Sequence, residues 1–452
     1  MKRSWTGFAF LALLLVFAPA MANAGSEITG STDGGAFYKI VVPDHWNGDL
    51  VIWNHGFSLA PPAPVTDLGP LADLQLYEGY AVAASSYRQA GWALFKTKDD
   101  LQNLVHVFKD NFGTPNRVLL TGGSLGGLVT VAAIEEAHIG NVAGAFPFCG
   151  AVAGSRNWDA ALDLRLVYDS VCSGVPGAAI PGGAEGLPPN ASFTQTDLGR
   201  AVHACTGILA PAEYRTPEQT ARMKKILDTL LIPENFLLSD MGYATFAMSD
   251  LVHDPGKLSG RIGTGNVCVD YDDPAINASI ARVSPNPVAA NRLRKNYTPS
   301  VDVGRTKIVS MHTDKDGLVV VENESEYAMM VRARNLTTAI VVEAVPSHCG
   351  FTKAELVAGW ESLRGWVNGA PQPTAAGIQA TCEAISPTFG GPCRIDPAFV
   401  VLDMDWRIRP RGRAGKKCKE ESSDCERESM SGSEKRSGYD DRFRSSAPGF
   451  AR

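Results

Sequence analysis

The segment Gly122-Gly123-Ser124-Leu125-Gly126 places a serine among small neighbours at the spacing G-x-S-x-G. A serine hydroxyl is a poor nucleophile at neutral pH. To attack a carbonyl carbon it needs a base to take its proton, an acid to orient that base, and N–H donors where the oxyanion forms. Glycines beside it allow a sharp turn and a close approach of two backbones. The chemistry to look for is acyl transfer, with its other parts supplied by carboxylates and histidines elsewhere. Only two of the eight histidines, His312 and His348, lie beyond residue 300.

The serine sits between a strand and a helix. Val118-Leu119-Leu120 is a short apolar run, and Leu128 to Ala137 has helical character. Upstream, Ala36 to Val42 alternates as a strand does, and Asp49 to Asn54 reads as a buried strand ending at His55-Gly56-Phe57. Tyr80 to Ser86 is another apolar strand, and Leu68 to Glu78 and Lys96 to Asn111 are helix-like. Asn141 to Cys149 is a further strand. Residues Gly25 to about Gly35 are polar and glycine-rich and read as a loose start. Alternation of this kind predicts an α/β fold, a mostly parallel doubly wound sheet with helices on both faces.

The alternation stops at about Gly154 and resumes after Ser300. Helical spacing within the break is expected at 197–206, 216–231 and 277–290. The break is read as a large, mainly helical cap insertion with its own small core, lying over the sheet edge where ligands bind. Thr306 to His312 is then a strand, 313–317 a loop, and Leu318 to Arg334 a helix. Thr337 to Val345 follows as a strand, 346–350 as a loop, and Thr352 to Val367 as a final helix. The predicted organisation is a core of residues 25–153 and 301–370, a cap of 154–300, a C-terminal extension of 371–405 and a basic tail of 406–452.

In this setting the G-x-S-x-G turn resembles the nucleophile elbow of the α/β-hydrolase superfamily. The resemblance covers roughly residues 36–150 and 305–368; the insertion matches no family. Chain order in that superfamily is Ser, then Asp or Glu, then His, and the resemblance implies roles residue by residue. Ser124 is the nucleophile. The acid lies in His312-Thr313-Asp314-Lys315-Asp316-Gly317-Leu318-Val319, where Asp316 fits the register best and Asp314 is the alternative. The base is His348 in Pro346-Ser347-His348-Cys349-Gly350-Phe351, with His312 as a strand-end rival that reads as structural. Backbone N–H groups of Leu125 and Phe57 would bind the oxyanion.

No cofactor and no metal are implied. The resemblance favours hydrolysis of a carboxylic ester, small or polymeric. An amidase or peptidase of the same fold is the alternative. A non-catalytic binding protein on the same scaffold is a third reading, disfavoured by the complete Ser/Asp/His set.

The chain has 452 residues and a net charge of −6, so nothing global points to nucleic acid. Lys2 and Arg3, the apolar run Phe8 to Phe17 and Ala22-Asn23-Ala24 have the pattern of a signal peptide cleaved after Ala24, which predicts a secreted or periplasmic protein without a stable membrane anchor. Export implies an oxidising environment for the nine cysteines. Cys382 with Cys393 and Cys172 with Cys205 are plausible pairs, although spacing does not fix connectivity. Residues 406–452 carry 13 Lys+Arg against 8 Asp+Glu, leaving 29 against 40, or −11, for residues 1–405. Charge and serine at that density predict a tail that does not pack.

Overall fold

The computed structural model describes residues 25–136, 138–297 and 303–411. The expected signal peptide, and all of the tail beyond Arg411, lie outside the described residues. Among the described residues no helix is long and apolar enough to cross a membrane.

The first half of the chain runs β1 (Ser26–Ser31), β2 (Phe37–Val42), β3 (Asp49–Asn54), α1 (Ala72–Tyr77), β4 (Ala81–Ser85), α2 (Leu94–Phe112), β5 (Arg117–Gly123), α3 (Leu125–Glu136) and β6 (Val142–Phe148). A helical segment follows, with α4 (Asn157–Val171), α5 (Gln195–Thr206), α6 (Pro217–Leu230), α7 (Leu237–Gly242), α8 (Met248–His253), α9 (Pro274–Ser279) and α10 (Pro287–Tyr297). The last part holds β7 (Lys307–Thr313), α11 (Asn323–Met330), β8 (Leu336–Val341), α12 (Lys353–Val367), α13 (Ala375–Phe389) and α14 (Met404–Arg407).

The strands form one eight-stranded sheet in the order β1-β2-β4-β3-β5-β6-β7-β8. β1 and β2 pair antiparallel, as do β2 and β4; every other pairing is parallel. Side chains alternate between the two faces. Leu50 and Ile52 join one hydrophobic cluster with α2 and α3, while Val51 and Trp53 join the other with α12. Both faces being covered explains why β3 reads as an unbroken apolar run. All parallel strands end on the same edge, so the segments after β3, β5, β6, β7 and β8 converge there.

Five expectations differ from the structure. The loose start at Gly25–Gly35 contains β1, an edge strand whose side chains are exposed or half-buried and so carry no apolar period. The single helix expected at 277–290 is two short ones. The chain between them carries Pro285 and is tied to Asn266, whose N–H donates to the Val283 carbonyl at 3.0 Å. The helix expected at 318–334 shrinks to α11, because the N–H groups of Leu318 and Val319 turn back to Asp316 Oδ1 at 2.9 and 3.0 Å. The insertion does not have a core of its own: Trp158, Leu162 and Leu166 of α4 belong to the cluster that includes α2 and α3. Finally, packing continues to Arg411, six residues into the segment expected to be an unpacked tail. Met404 and Ile408 are buried against Ala153 and Val320, a burial that contributes about 1.5–3 kcal/mol per side chain.

Candidate active site

Ser124 ends the turn between β5 and α3 with φ at +58°. This left-handed conformation is rare for a residue with a side chain and persists only where its surroundings hold it. Here the restraint is steric and hydrogen-bonded. A Cβ on Gly122 would fall 2.2 Å from the Gly126 carbonyl oxygen, and one on Gly126 would fall 1.9 Å from the Asn54 carbonyl oxygen. Strand, helix and the end of β3 therefore pass closer than any side chain permits. The Ser124 N–H donates to the Phe148 carbonyl at 3.2 Å, and the Ser124 carbonyl accepts from the Gly127 and Ala151 N–H groups at 3.0 and 3.3 Å. The buried Asn54 amide donates to Thr130 Oγ1 at 3.0 Å, joining the end of β3 to α3.

The structure brings three of the residues singled out from sequence into one hydrogen-bonded chain. Ser124 Oγ lies 2.8 Å from His348 Nε2, and His348 Nδ1 lies 2.6 Å from Asp316 Oδ2. A carboxylate only accepts, so Nδ1 donates and Nε2 is left to accept the serine proton. Asp316 is buried, and its other oxygen takes the Leu318 and Val319 N–H groups. The carboxylate is thus fixed by the backbone that follows it.

His348 lies in the loop between β8 and α12. The start of α12 is set by a capping box: the Glu355 N–H donates to Thr352 Oγ1 at 3.2 Å, and Glu355 Oε2 accepts the Thr352 N–H at 2.8 Å.

The alternatives have other work. Asp314 Oδ1 accepts the Glu343 N–H at 2.8 Å, tying the acid loop to the chain beyond β8. His312 is fully buried, with Nε2 2.7 Å from the Val319 carbonyl and Nδ1 3.3 Å from Glu324. Burial opposes charging this ring, but the Glu324 carboxylate and the Asp316 charge outweigh it and hold its pKa above the ordinary value.

Leu125, which follows Ser124 in the chain, and Phe57 line the same cavity as the serine. Among the described residues neither backbone N–H has an acceptor, which leaves both available to a ligand. A Cβ on Gly56 would touch the serine, 3.4 Å from its Cβ and 3.9 Å from its Oγ. His55 shapes this loop: its ring stacks on Tyr87 at 4.2 Å, and its Nδ1 lies 2.8 Å from the Gly56 carbonyl.

The cavity over Ser124 was not legible in sequence. Its walls are apolar and aromatic, from Trp92, Trp158, Leu164, Leu230, Tyr243 and Val319. Tyr243 starts a π-helical turn, Tyr243–Ala247, inserted between α7 and α8, and its ring packs on Phe57 at 4.8 Å. Such turns re-aim side chains within a helix. Asp240, one turn before, also faces the cavity. Burial, aided by the nearby Asp316 charge, holds its carboxyl well above the usual range.

One wall comes from Arg407, Ile408 and Arg409, within and just after α14. Arg156 pins this strap, bonding Glu326 at 3.0 Å, Asp405 at 2.8 Å and the Ile408 carbonyl at 2.8 Å. Arg411 closes its end on Asp163 at 2.8 Å. In sequence Arg407, Arg409 and Arg411 belong to the segment read as a basic tail and carry no apolar period to mark them.

Three disulfides join pairs of described residues. Cys172–Cys205 and Cys382–Cys393 were expected; Cys149–Cys349, spanning 200 residues, was not. Connectivity was open in sequence, and no local signal pointed to the third.

No protein-family model matches the chain. It is 30% identical over 116 residues to o-phthalyl amidase from Xanthobacter agilis. That stretch is 25% of each protein, so the chain spans about a quarter of that relative's length. Among solved structures, an esterase from Aspergillus oryzae is similar at 13% identity over 76% of this chain and 80% of that one, with a TM-score of 0.43. Feruloyl esterase B from the same organism gives 12%, 76%, 81% and 0.41. Candida antarctica lipase A in its closed state gives 12%, 82%, 94% and 0.38. The strand order, with an antiparallel β2 beside β4, and the positive-φ serine between β5 and α3 are features of the chain itself. They give it the sheet order and strand–turn–helix elbow of the α/β-hydrolase fold.

Proposed function

We propose that the protein is an exported serine hydrolase that cleaves a carboxylic ester through an acyl-enzyme. The observation that carries this reading is the order Ser124 Oγ, His348 Nε2 at 2.8 Å, then His348 Nδ1 to Asp316 Oδ2 at 2.6 Å, on a serine held at φ +58°.

His348 takes the hydroxyl proton as Ser124 Oγ attacks the carbonyl carbon. Asp316 holds the ring and stabilises the imidazolium. The tetrahedral oxyanion sits between the N–H groups of Leu125 and Phe57, a type of contact worth roughly 3–4 kcal/mol per donor. Collapse expels the leaving group, which takes its proton from His348. Water, deprotonated through the same ring, then releases the acyl group. The acyl group occupies the apolar cavity bounded by Trp92, Trp158 and Val319. The disulfides among the described residues support export to an oxidising compartment.

An amide substrate is the second reading, favoured by the stretch similar to o-phthalyl amidase. A panel of p-nitrophenyl esters and the matching anilides, run on wild type and Ser124→Ala, separates the two. Faster turnover of esters, absent in Ser124→Ala, is the expected result. Faster turnover of anilides would replace the ester reading with the amide one.

A further inference from the structure

A covalent bond ends beside the proposed base. Cys349 follows His348 directly, and its sulfur lies 3.5 Å from His348 Nε2. Its partner Cys149 closes β6, is fully buried, and follows Phe148, whose carbonyl accepts the Ser124 N–H. The Cys149 N–H in turn donates to the Met311 carbonyl at 2.8 Å. The disulfide therefore joins the segment holding the serine to the loop carrying the histidine. Both cysteines adopt positive φ, +42° for Cys149 and +58° for Cys349, conformations that residues with a side chain keep only under restraint.

The loop from Val342 to Thr352 has other anchors, but they hold its flanks. The Asn235 amide donates to the Pro346 carbonyl at 2.9 Å, Ser347 bonds Glu343, and Arg394 donates to the Gly350 carbonyl at 2.7 Å. The imidazole itself touches Ser124, Asp316 and the Cys349 sulfur. No strand pairing or helical register fixes the position of the ring.

We infer that Cys149–Cys349 is a positioning crosslink that holds His348 on the Ser124 hydroxyl, and that a dithiol lowers hydrolysis by opening it while the fold persists. This rests on the hydrolase reading above. Cys349 is partly exposed and Cys149 is not, so the reagent's thiolate bonds to Cys349 Sγ and Cys149 Sγ leaves as a thiolate. The reagent's second thiol then displaces Cys349 Sγ. The dithiol gives up two electrons and ends as a cyclic disulfide, and both cysteines take up protons.

The test uses the full oxidised chain, a Cys149→Ala/Cys349→Ala variant, and a Cys382→Ala/Cys393→Ala variant as a comparator for a disulfide outside the site. Turnover of p-nitrophenyl butyrate, labelling of Ser124 by a fluorophosphonate, and folded fraction by circular dichroism are read at one temperature. Loss of the crosslink should lower kcat per folded molecule about 100-fold, the effect of a base displaced by about 1 Å, with KM within about twofold. The comparator should match wild type. Dithiothreitol should reproduce the loss in wild type, and reoxidation should reverse it. An unchanged kcat, a loss that tracks the folded fraction, or an equal loss in the comparator would overturn the inference. If oxidised wild type neither turns over the ester nor labels at Ser124, the hydrolase reading fails instead. If it labels and the crosslink variant labels equally fast, only the crosslink inference fails.

Discussion

The two sides of the cavity over Ser124 are built differently. On one side the residues that could do chemistry follow β5, β7 and β8: strand pairing, glycine contacts and short backbone hydrogen bonds fix Ser124 and Asp316, and the loop beyond β8 carries His348. On the other side stand α4, α7 and the strap from Met404 to Arg411, held by side-chain contacts between segments distant in sequence, such as Arg156 with the Ile408 carbonyl. The first side specifies positions; the second specifies a shape. Changes on the first should therefore appear in kcat, and changes on the second in KM and stability.

The largest expected effect is Ser124→Ala, which should lower kcat for an ester by about 10⁴-fold or more. Asp316→Asn should follow at about 10⁴-fold, since the amide no longer fixes the tautomer that accepts the serine proton. Asp314→Asn keeps an oxygen for the Glu343 N–H and should cost less than about tenfold. Steady-state kinetics on both variants checks the pair, and the reverse order would move the acid to Asp314.

Across the cavity, Arg156→Ala removes two strap contacts, to Asp405 and the Ile408 carbonyl, and a third to Glu326 of α11. It should raise KM about tenfold, or about 1.4 kcal/mol, with kcat nearly unchanged. A kcat effect would mean that the strap positions the reacting groups, and the contrast between the two sides would fail.

The smallest effect concerns pH. The Asp240 carboxyl is raised by burial and by the Asp316 charge, so the folded state keeps a proton that the unfolded chain releases above about pH 4. Stability from this residue therefore falls as pH rises through that range. Urea unfolding at pH 5 and pH 8 should show a smaller decline for Asp240→Asn than for wild type.

The same contrast explains what was legible in the sequence. Strand β3 was read at its observed bounds, because burial on both faces leaves an unbroken apolar run. Ser124, Asp316 and His348 were placed by chain order along such strands. Helix α4 was missed because its buried residues run nearly continuously from Leu162 to Tyr168, which hides the helical period. The strap was missed because Met404 and Ile408 are isolated apolar residues beside charged ones, and what buries them, Ala153 and Val320, lies far away in sequence. The Cys149–Cys349 bond was missed because nothing local couples residues 200 positions apart.

The most direct measurement is the intact mass of the protein after reaction with a fluorophosphonate, followed by peptide mapping. A single adduct on the peptide carrying Ser124, absent from Ser124→Ala and slowed in the His348→Ala variant, is the predicted result. An adduct that survives Ser124→Ala, or one that maps to another serine, would contradict the assignment of Ser124 as the nucleophile.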